Sequence, residues 1–494
     1  MRGNQRTSGD LSRREGGKIF GSGSRTPIAI TLLVKNPAIS HAKVKIFYHD
    51  IGDYLSREEK LVRIQEFGSI LNPEMKLSSI TPNEAYDWLN QRDGLFEAFI
   101  PMEPEKKFSI DTKSCFVVNS NGFKTNRDSW VYNDSREALL NNVSRMIAFY
   151  NNQREFYHKT KSEAVPTPVI SSDPTKISWT VNLKKDMEKN NIVLISPDSI
   201  REAIYRPFNK RYVYTQRSLI ERPGQFNEFF PTPQTKNLVI CVSGIGVTKD
   251  FSVIITDIIP DFELIGKSQC FPLYYYESIE HDQLGLFDQT ETDYIRRDGI
   301  SDFVLDQART LNPRISKEDV FYYIYGLLHS LDYRKRFSAD LKKSLPHIPL
   351  PETFSMFKVF ADAGRKLADL HLNYENSSIC PSVIMSGLES NDFRVEKMRF
   401  PSKEDKRTII YNSSIRVENI PQIAYEYVIN GKSAIEWLME RYSVSINSES
   451  KIINDPNGWS ENPRYIFDLL LRVIQMSIDS VNIIAKLPKL NLDC

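Results

Sequence analysis

The sequence predicts a mixed α/β and α+β protein, in which part of a parallel sheet comes first and a β-rich and helical region follows. The first observation is Ile28–Val34, a continuous apolar run behind a loop rich in Gly, Ser and basic residues. Such a run is typical of a strand buried on both faces of a parallel sheet. The second is the block Ile177–Glu277, where short apolar runs alternate with Gly, Pro and Asn. The third is the helical spacing of apolar residues after Ser316.

The composition is that of an ordinary globular protein. The 494 residues are 40% hydrophobic and 26% charged, with a formal net charge of +1, and this length predicts roughly three domains of about 150 residues. The five cysteines and seven histidines are scattered, without C-x-x-C or H-E-x-x-H spacing, so we expect reduced thiols and no metal site. The polar N-terminus and the lack of a long apolar run predict a cytoplasmic protein that does not enter a membrane.

Local patterns predict the individual elements of the chain in order. In the first third we expect strands at Ile28–Val34 and Val44–Tyr48, a helix over residues 57–67 after the Ser56/Glu59 capping box, a helix starting at Thr81 that carries Tyr86, Trp88 and Leu89, and a long helix over residues 135–157. We then expect a linker over residues 164–174, the strand-rich block 177–277, a polar loop over residues 278–293, a helix capped by Ser316 and Asp319, a second helix to Leu345, and helices over residues 353–370, 434–442 and 463–487.

No catalytic constellation is visible in the sequence. The loop Gly16–Thr26 lacks the Gly-Lys-Ser/Thr ending of a P-loop and does not follow a strand, so a flexible loop before a core strand is favoured over a phosphate cradle. There is no G-x-S-x-G, and Asn36-Pro37 is followed by Ala-Ile rather than by the Pro-Tyr that holds a flipped adenine. We therefore assign no catalytic and no metal-binding residue.

Two polar segments contain the residue types that contact DNA. Gly122–Asp128 is a glycine turn with two cations, a hydroxyl and an amide, and Arg201–Arg222 alternates cations with aromatic residues. Cations neutralise phosphates, while Arg, Asn and Gln hydrogen-bond base edges. A solvated turn and a charged strand over a core remain the alternatives. The candidate DNA-binding residues are Lys124, Thr125, Asn126, Arg127, Arg206, Lys210, Arg211, Arg222 and Gln225.

Several long segments, in one order, resemble a known family. They include GFKTNRDSWVYN at 122–133, RPFNKRY at 206–212, IERPGQF at 220–226, SQCFPLYYYE at 268–277 and YEYVINGKSAIEWLMERY at 425–442. The chain resembles the C-terminal part of type ISP restriction–modification enzymes. The resemblance implies the remnant of a methyltransferase-type parallel sheet over residues 1–160, a β-rich part of a target-recognition domain over 161–310, and a helical hairpin with the rest of the specificity domain over 311–494.

The resemblance also implies which catalytic activities the intact family enzyme carries and where their motifs lie relative to this chain. Such an enzyme carries a nuclease, a helicase-like ATPase and an N6-adenine methyltransferase, and uses S-adenosyl-L-methionine, ATP and Mg. We expect the donor-binding and catalytic motifs to lie upstream of Met1, and therefore no cofactor for this chain alone. Ser24, Arg25 and Thr26 would then lie near the target-base pocket.

The function predicted from the resemblance is recognition of a double-stranded DNA sequence as the specificity portion of such an enzyme. Two alternatives remain open. The chain could be one half of a split N6-adenine DNA methyltransferase, completed by an upstream polypeptide, or a truncated fragment without function.

Overall fold

The computed structural model describes residues 28–35, 37, 44–109, 111–162, 169–279, 293–402 and 404–490. Ser24, Arg25 and Thr26, the first five residues of the expected linker and most of the expected polar loop lie outside these residues. The helices are α1 Arg57–Phe67, α2 Asp128–Val131, α3 Arg136–Ser162, α4 Val181–Glu188, α5 Phe226–Phe229, α6 Asp302–Arg309, α7 Lys317–Leu327, α8 Leu331–Arg336, α9 Phe354–Leu372, α10 Ala434–Arg441 and α11 Tyr465–Ala485.

Short strands alternate with these helices, so the predicted mixed α/β fold class is confirmed. The strands are β1 Ile46–Tyr48, β2 Ser78–Ile80, β3 Ile100–Pro101, β4 Ser120–Asn121, β5 Tyr132–Asn133, β6 Ile200–Arg206, β7 Asn209–Tyr214, β8 Val239–Val242, β9 Val253–Thr256, β10 Ile259–Pro260, β11 Gln269–Pro272, β12 Tyr274–Ser278, β13 Tyr294–Asp298, β14 His347–Ile348, β15 Ile384–Ser386, β16 Ile409–Ile410, β17 Arg416–Glu418, β18 Val428–Ile429, β19 Lys432–Ser433, β20 Ser445–Ile446 and β21 Ile453–Asn454.

Two four-stranded sheets form the centre of the β-rich part. One has the order β10-β6-β7-β5, in which β10 runs parallel to β6 and the other pairs are antiparallel. The other is antiparallel, with the order β4-β11-β8-β9, and every residue of β8 and β9 is buried. A parallel bridge between Phe123 and Asp261 joins the chain that leaves β4 to the chain that leaves β10. The two sheets therefore meet at the predicted turn Gly122–Asp128.

Most predicted helices are confirmed, and capping side chains account for the residues at which two of them begin. Ser56 with Glu59, and Ser316 with Asp319, form capping boxes at the starts of α1 and α7. In such a box each side chain bonds the other residue's backbone N–H, which satisfies two donors that the helix leaves free. The long helix α3 buries the predicted face of Leu139, Val143, Ile147 and Tyr150. The helix α11 likewise packs its apolar stripe into the core.

The predicted strand Ile28–Val34 is not formed. Residues 28–35 are assigned to no strand, and Leu33 and Val34 are 88% and 89% exposed. A strand of this kind is stabilised by neighbours on both sides, and the sheets of the described residues contain no pairing to this segment. The strand predicted at Val44–Tyr48 is present as the shorter β1, paired with β2.

The helix predicted from Thr81 is also absent. The Asn83 side chain accepts the backbone N–H of Asp87 at 2.8 Å, which closes a loop in place of a helical turn. Asp87 in turn binds Arg92 at 2.9 Å and Lys343 at 2.8 Å. Asn side chains compete with helical hydrogen bonds in this way. Tyr86 adopts a left-handed backbone at φ 61° and is 85% exposed.

The second helix of the C-terminal hairpin ends at Arg336 instead of Leu345. Residues 337–344 form successive turns, since Asp340 accepts the distant backbone N–H of Asp93 at 3.2 Å. Contacts with residues 87–96 thus keep residues 337–344 out of the helix that their apolar spacing predicts. Among the helices of the described ranges, none is both long enough and apolar enough to cross a membrane. In the same ranges, no three His, Cys, Asp or Glu side chains group as metal ligands.

The buried side chain of His371, on α9, forms hydrogen bonds with residues of α7 and α11. The Tyr325 hydroxyl lies 2.6 Å from His371 Nδ1, and Ser480 Oγ lies 3.0 Å from His371 Nε2. Because Ser480 donates its proton to the Met476 carbonyl, His371 Nε2 is the donor and Nδ1 accepts from Tyr325. Burial, with the nearby Arg334, lowers the pKa of His371 to about 3.

This pKa predicts an acid-dependent loss of stability. The unfolded chain binds a proton at His371 below pH about 6.5, whereas folded His371 stays neutral until pH about 3. Unfolding should therefore become easier as the pH falls between these values, by about 1.4 kcal/mol per unit from this residue. Urea unfolding of wild type and His371→Asn between pH 7.5 and 4.5 measures the difference in slope. Equal slopes would contradict the assignment.

Candidate nucleic-acid interface

The turn Gly122–Asp128 rises from the junction of the two sheets. Gly122 N–H donates to the Ser268 carbonyl at 2.9 Å, and Phe123 N–H donates to the Pro260 carbonyl at 2.9 Å. A Cβ atom at position 122 would lie 2.6 Å from the Asp261 carbonyl oxygen, so only glycine allows this close approach. The backbone on both sides of the turn is thus held by neighbouring strands.

Lys124 and Arg222 lie directly opposite each other in an antiparallel bridge. Their backbones exchange hydrogen bonds of 3.0 Å and 2.9 Å. Residues directly opposite in such a pair project from the same face, with Cβ atoms about 5 Å apart. Arg222 is exposed, and Lys124 Nζ lies 4.9 Å from the centre of the Phe262 ring. Two like charges in this arrangement repel each other, and an anion bound between them would relieve the repulsion.

Asn126 forms the exposed tip of the turn, and its neighbours face inwards. Asn126 has a left-handed backbone at φ 57°, which asparagine tolerates better than most residues. Thr125 is buried, bonds Asp128 through its hydroxyl and accepts the Arg127 backbone N–H at 3.2 Å. Arg127 is buried as well and donates to Thr180 Oγ1 at 2.6 Å. Burial lowers the pKa of Arg127 to about 10. Thr125 and Arg127 therefore fix the turn from its buried side through these hydrogen bonds.

Arg206 lies beneath the turn in a buried ion pair. Its Nη1 donates to Asp261 Oδ1 at 2.6 Å, and its guanidinium stacks 3.9 Å from the centre of the Tyr205 ring. The Tyr132 hydroxyl donates to Asp261 Oδ2 at 3.1 Å, and the Tyr205 hydroxyl donates to Asp128 Oδ2 at 3.1 Å. Burial raises the pKa of Asp261 to about 7, while the Arg206 charge opposes the rise. This network connects β6, β10 and the turn.

Lys210 and Arg211 also point into the protein. Lys210 Nζ pairs with Glu375 Oε2 at 2.6 Å, and Arg211 Nε pairs with Asp134 Oδ1 at 3.1 Å. Gln225 is partly exposed, and its backbone N–H donates to Ser120 Oγ at 2.9 Å. The structure therefore leaves Lys124, Asn126, Arg222 and Gln225 at least partly exposed, in the two segments that the Lys124–Arg222 bridge joins, and uses the other five predicted residues inside the fold.

The site also includes Asp261 and the loop that follows it, which no sequence pattern predicts as functional. Asp261 is separated from Arg206 by 55 residues and carries no local motif. Phe262 and Ser268, which contact Lys124 and Gly122, lie in the same loop. The only hint is the pattern of two strands followed by Pro260-Asp261, which predicts a turn and no specific contact.

The solved structures that resemble this chain include three DNA complexes. The nuclease-deletion mutant of the Type ISP restriction–modification enzyme LlaGI, in complex with a DNA substrate mimic, is 40% identical with a TM-score of 0.84, over 99% of this chain and 43% of that one. The ATP-dependent Type ISP enzyme LlaBIII bound to DNA is 35% identical with a TM-score of 0.85, over 99% and 30%. The DrdV–DNA complex is 26% identical with a TM-score of 0.81, over 100% and 47%.

These similarities put the fold among the DNA restriction–modification enzymes. A search of curated proteins returned no match. The family model described as the Type ISP C-terminal specificity domain matches residues 114–469. The chain therefore belongs to the Type ISP C-terminal specificity-domain family, as its sequence motifs predict. It spans less than half the length of each of the three solved chains.

Proposed function

We propose that this chain binds double-stranded DNA and selects its sequence through the surface around the turn Gly122–Asp128. The observation that carries the proposal is the pairing of Lys124 with Arg222, two cations directly opposite each other on adjacent strands. A phosphate between them would be neutralised by both. The DNA present in the three similar structures supports the same partner for this chain.

The tip of the turn supplies groups for reading bases. The side-chain amide of Asn126 has a donor and an acceptor, the pair that binds adenine bidentately in the major groove. Asn126 is exposed two residues along the turn from Lys124, so phosphate contacts by Lys124 and Arg222 would set its position along the duplex. Thr125, Arg127 and Arg206 then act as positioning residues, because each is held by partners within the fold.

Selection from random DNA tests this function. The purified chain is incubated with random duplex DNA at about 150 mM salt, and the bound fraction is sequenced. We expect one asymmetric motif to be enriched. A folded chain that retains DNA without enriching any motif, or retains none, would contradict sequence recognition by this chain.

The double variant Lys124→Ala/Arg222→Ala should bind all DNA sequences more weakly. Each lost phosphate contact reduces the slope of log K against log salt by about 0.9, so the slope should fall by about 1.8. The enriched motif should stay the same. Lys358→Ala/Lys366→Ala, which removes two exposed lysines of α9, is the charge-matched control. An equal change in both variants would show that net charge alone is responsible.

Asn126→Gly should instead change the motif. Glycine adopts the left-handed backbone of position 126 and removes only the amide. We expect relaxed selection at one base pair, with a loss of about 1–3 kcal/mol for the preferred site. The motif is sequenced again from the same random pool. An unchanged motif would exclude Asn126 as a base contact.

A second candidate function is favoured by the exposed apolar side chains of residues 28–92. Leu33, Val34, Leu71 and Tyr86 are each 85% exposed or more, and exposed apolar groups of this kind mark interaction sites. In this hypothesis a separate polypeptide with the donor-binding half of an N6-adenine methyltransferase docks there. Mixing the chain with the corresponding half of LlaGI and separating the products by size tests it. The absence of a complex would argue against this function.

A further inference from the structure

Three tight turns meet beside the candidate interface. They are the β8–β9 loop, the loop over residues 265–268 and the β18–β19 turn. A Cβ atom at Gly244 would lie 2.2 Å from the Lys267 carbonyl oxygen, and one at Gly266 would lie 3.6 Å from Asn430 Oδ1. Asn430 N–H donates to Ser252 Oγ at 2.8 Å. The first contact is between backbones, and the other two involve the short side chains of Asn430 and Ser252, so the three turns form one firmly packed surface.

This surface surrounds one indole ring with cations. Lys432 Nζ lies 4.7 Å from the centre of the Trp437 ring, Arg441 Cζ at 5.6 Å and Lys249 Nζ at 5.8 Å. Trp437 is buried, and its Nε1–H donates to the Ile429 carbonyl at 2.7 Å, so the ring is a fixed base for the three side chains. We call these four residues the Trp437 cluster.

The carboxylates nearby neutralise only part of this charge. Glu440 bonds both Lys432 and Arg441, and Asp250 pairs with Lys342 at 3.3 Å. Glu440 and the exposed Glu263 both attract Lys249 at longer range. Within the described ranges, Lys249 makes no ion pair. Burial, followed by repulsion from Lys432, lowers the pKa of Lys249. Lys249 therefore has carboxylates nearby, but none of those described lies within ion-pair distance of its Nζ.

Lys267 connects the cluster to the turn of the candidate interface. Its exposed side chain donates to the Ile245 carbonyl at 3.3 Å, on the β8–β9 loop. The carbonyl of the next residue, Ser268, accepts the Gly122 N–H at 2.9 Å, and the ring of Phe262, a few residues earlier in the chain, lies under Lys124. Cations thus follow one another from Arg222 and Lys124 through Lys267 to the Trp437 cluster.

We propose that the Trp437 cluster and Lys267 bind the phosphodiester backbone of the duplex that the turn Gly122–Asp128 reads. This proposal rests on the proposed function and adds a second contact, in which Lys249 and Lys267 meet phosphates and Trp437 is a positioning residue. Lysine contacts to phosphate position a protein on DNA without reading its sequence. The surface therefore contributes affinity and orientation, while sequence recognition stays with Asn126.

The experiment compares three double variants of the full chain across a salt series. Lys249→Ala/Lys267→Ala tests the new surface, Lys124→Ala/Arg222→Ala tests the candidate interface, and Lys358→Ala/Lys366→Ala is the charge-matched control. We expect the first variant to reduce the slope of log K against log salt by about 1.8, at about 0.9 per phosphate. The motif enriched from random DNA should not change. Lys249→Gln/Lys267→Gln, which retains longer side chains, replaces the alanine variant if its thermal unfolding shifts.

The possible outcomes are distinct. If only Lys124→Ala/Arg222→Ala lowers the slope, the proposed function stands and the Trp437 cluster does not contact DNA. If Lys249→Ala/Lys267→Ala changes the selected motif, the surface reads bases, and the backbone contact is wrong. If the wild-type chain binds no DNA at low salt, the proposed function fails, and this second contact fails with it.

Discussion

Replacing Gly364 with alanine should destabilise the protein by about 3 kcal/mol or more, at the upper end of the cost of overpacking. Helices α7 and α9 cross where Gly326 meets Gly364. A Cβ atom at Gly364 would lie 1.9 Å from the Tyr322 carbonyl oxygen and 2.9 Å from the Gly326 nitrogen. Both atoms belong to backbone, so no side chain can move aside. Alanine gains about 1 kcal/mol of helix propensity over glycine, which is too little to offset separation of the helices.

Gly94→Ala provides the matched control for this prediction. A Cβ atom at Gly94 would meet nothing within 4 Å, so its stability should change by no more than about 0.5 kcal/mol. The free energy of unfolding is measured for both variants in urea by far-ultraviolet circular dichroism. If the two substitutions had the same effect, the close crossing of α7 and α9 would not limit stability.

Replacing Arg206 with methionine should cost about 3–5 kcal/mol of stability, the range for breaking one partner out of a buried ion pair. Among the residues that the structure describes, the Asp261 carboxylate would keep only the Tyr132 hydroxyl and the Glu263 backbone N–H as partners. Because the Arg206 charge opposes the rise of the pKa of folded Asp261, its removal should raise that pKa further, so the folded variant should take up a proton at a higher pH than the folded wild type. Its deficit relative to wild type should therefore shrink as the pH falls from 8 towards 5.

Two further variants test whether the loss of stability comes from the unpaired buried charge of Asp261. In Arg206→Met/Asp261→Asn the buried charge is removed, so part of the lost stability should return. Arg297→Met removes the exposed ion pair with Glu277, in which both side chains are about half exposed, and should cost less than about 1 kcal/mol. Urea unfolding at pH 8 and pH 5 measures all three. A deficit of Arg206→Met that is independent of pH would show that Asp261 stays ionised without its partner.

Local patterns predicted the helices of this fold well. The capping boxes at Ser56 and Ser316 act over three residues, so the sequence contains everything that they need. The strand predicted at Ile28–Val34 depends on neighbouring strands, and an apolar run cannot indicate whether they are present. The helix predicted from Thr81 failed for a related reason, because Asp87 is held by Lys343, a residue far away in sequence.

The candidate site could be predicted only in part, because contacts between residues distant in sequence decide which of its side chains are exposed. The cations at Lys124 and Arg222 were identified from residue type alone, but their direct pairing arises only when the sheets form. Arg206, Lys210 and Arg211 have the same residue types, and their carboxylate partners Asp261, Glu375 and Asp134 are all distant in sequence. Composition therefore finds the basic segments, while tertiary contacts decide which cations face solvent.

The largest hydrophobic core has a consequence for the order in which the chain can fold during synthesis. That core combines Val118, Tyr214 and Cys270 with Leu438 and Met476. The ribosome makes the last of these residues hundreds of positions after the first, so β7 lacks its partner α10, and the core lacks α11, until both helices have been made. Contacts between such distant segments slow folding. An incompletely folded chain also exposes apolar surface, through which it can aggregate. We expect the nascent protein to need chaperone protection until helix α11 is complete.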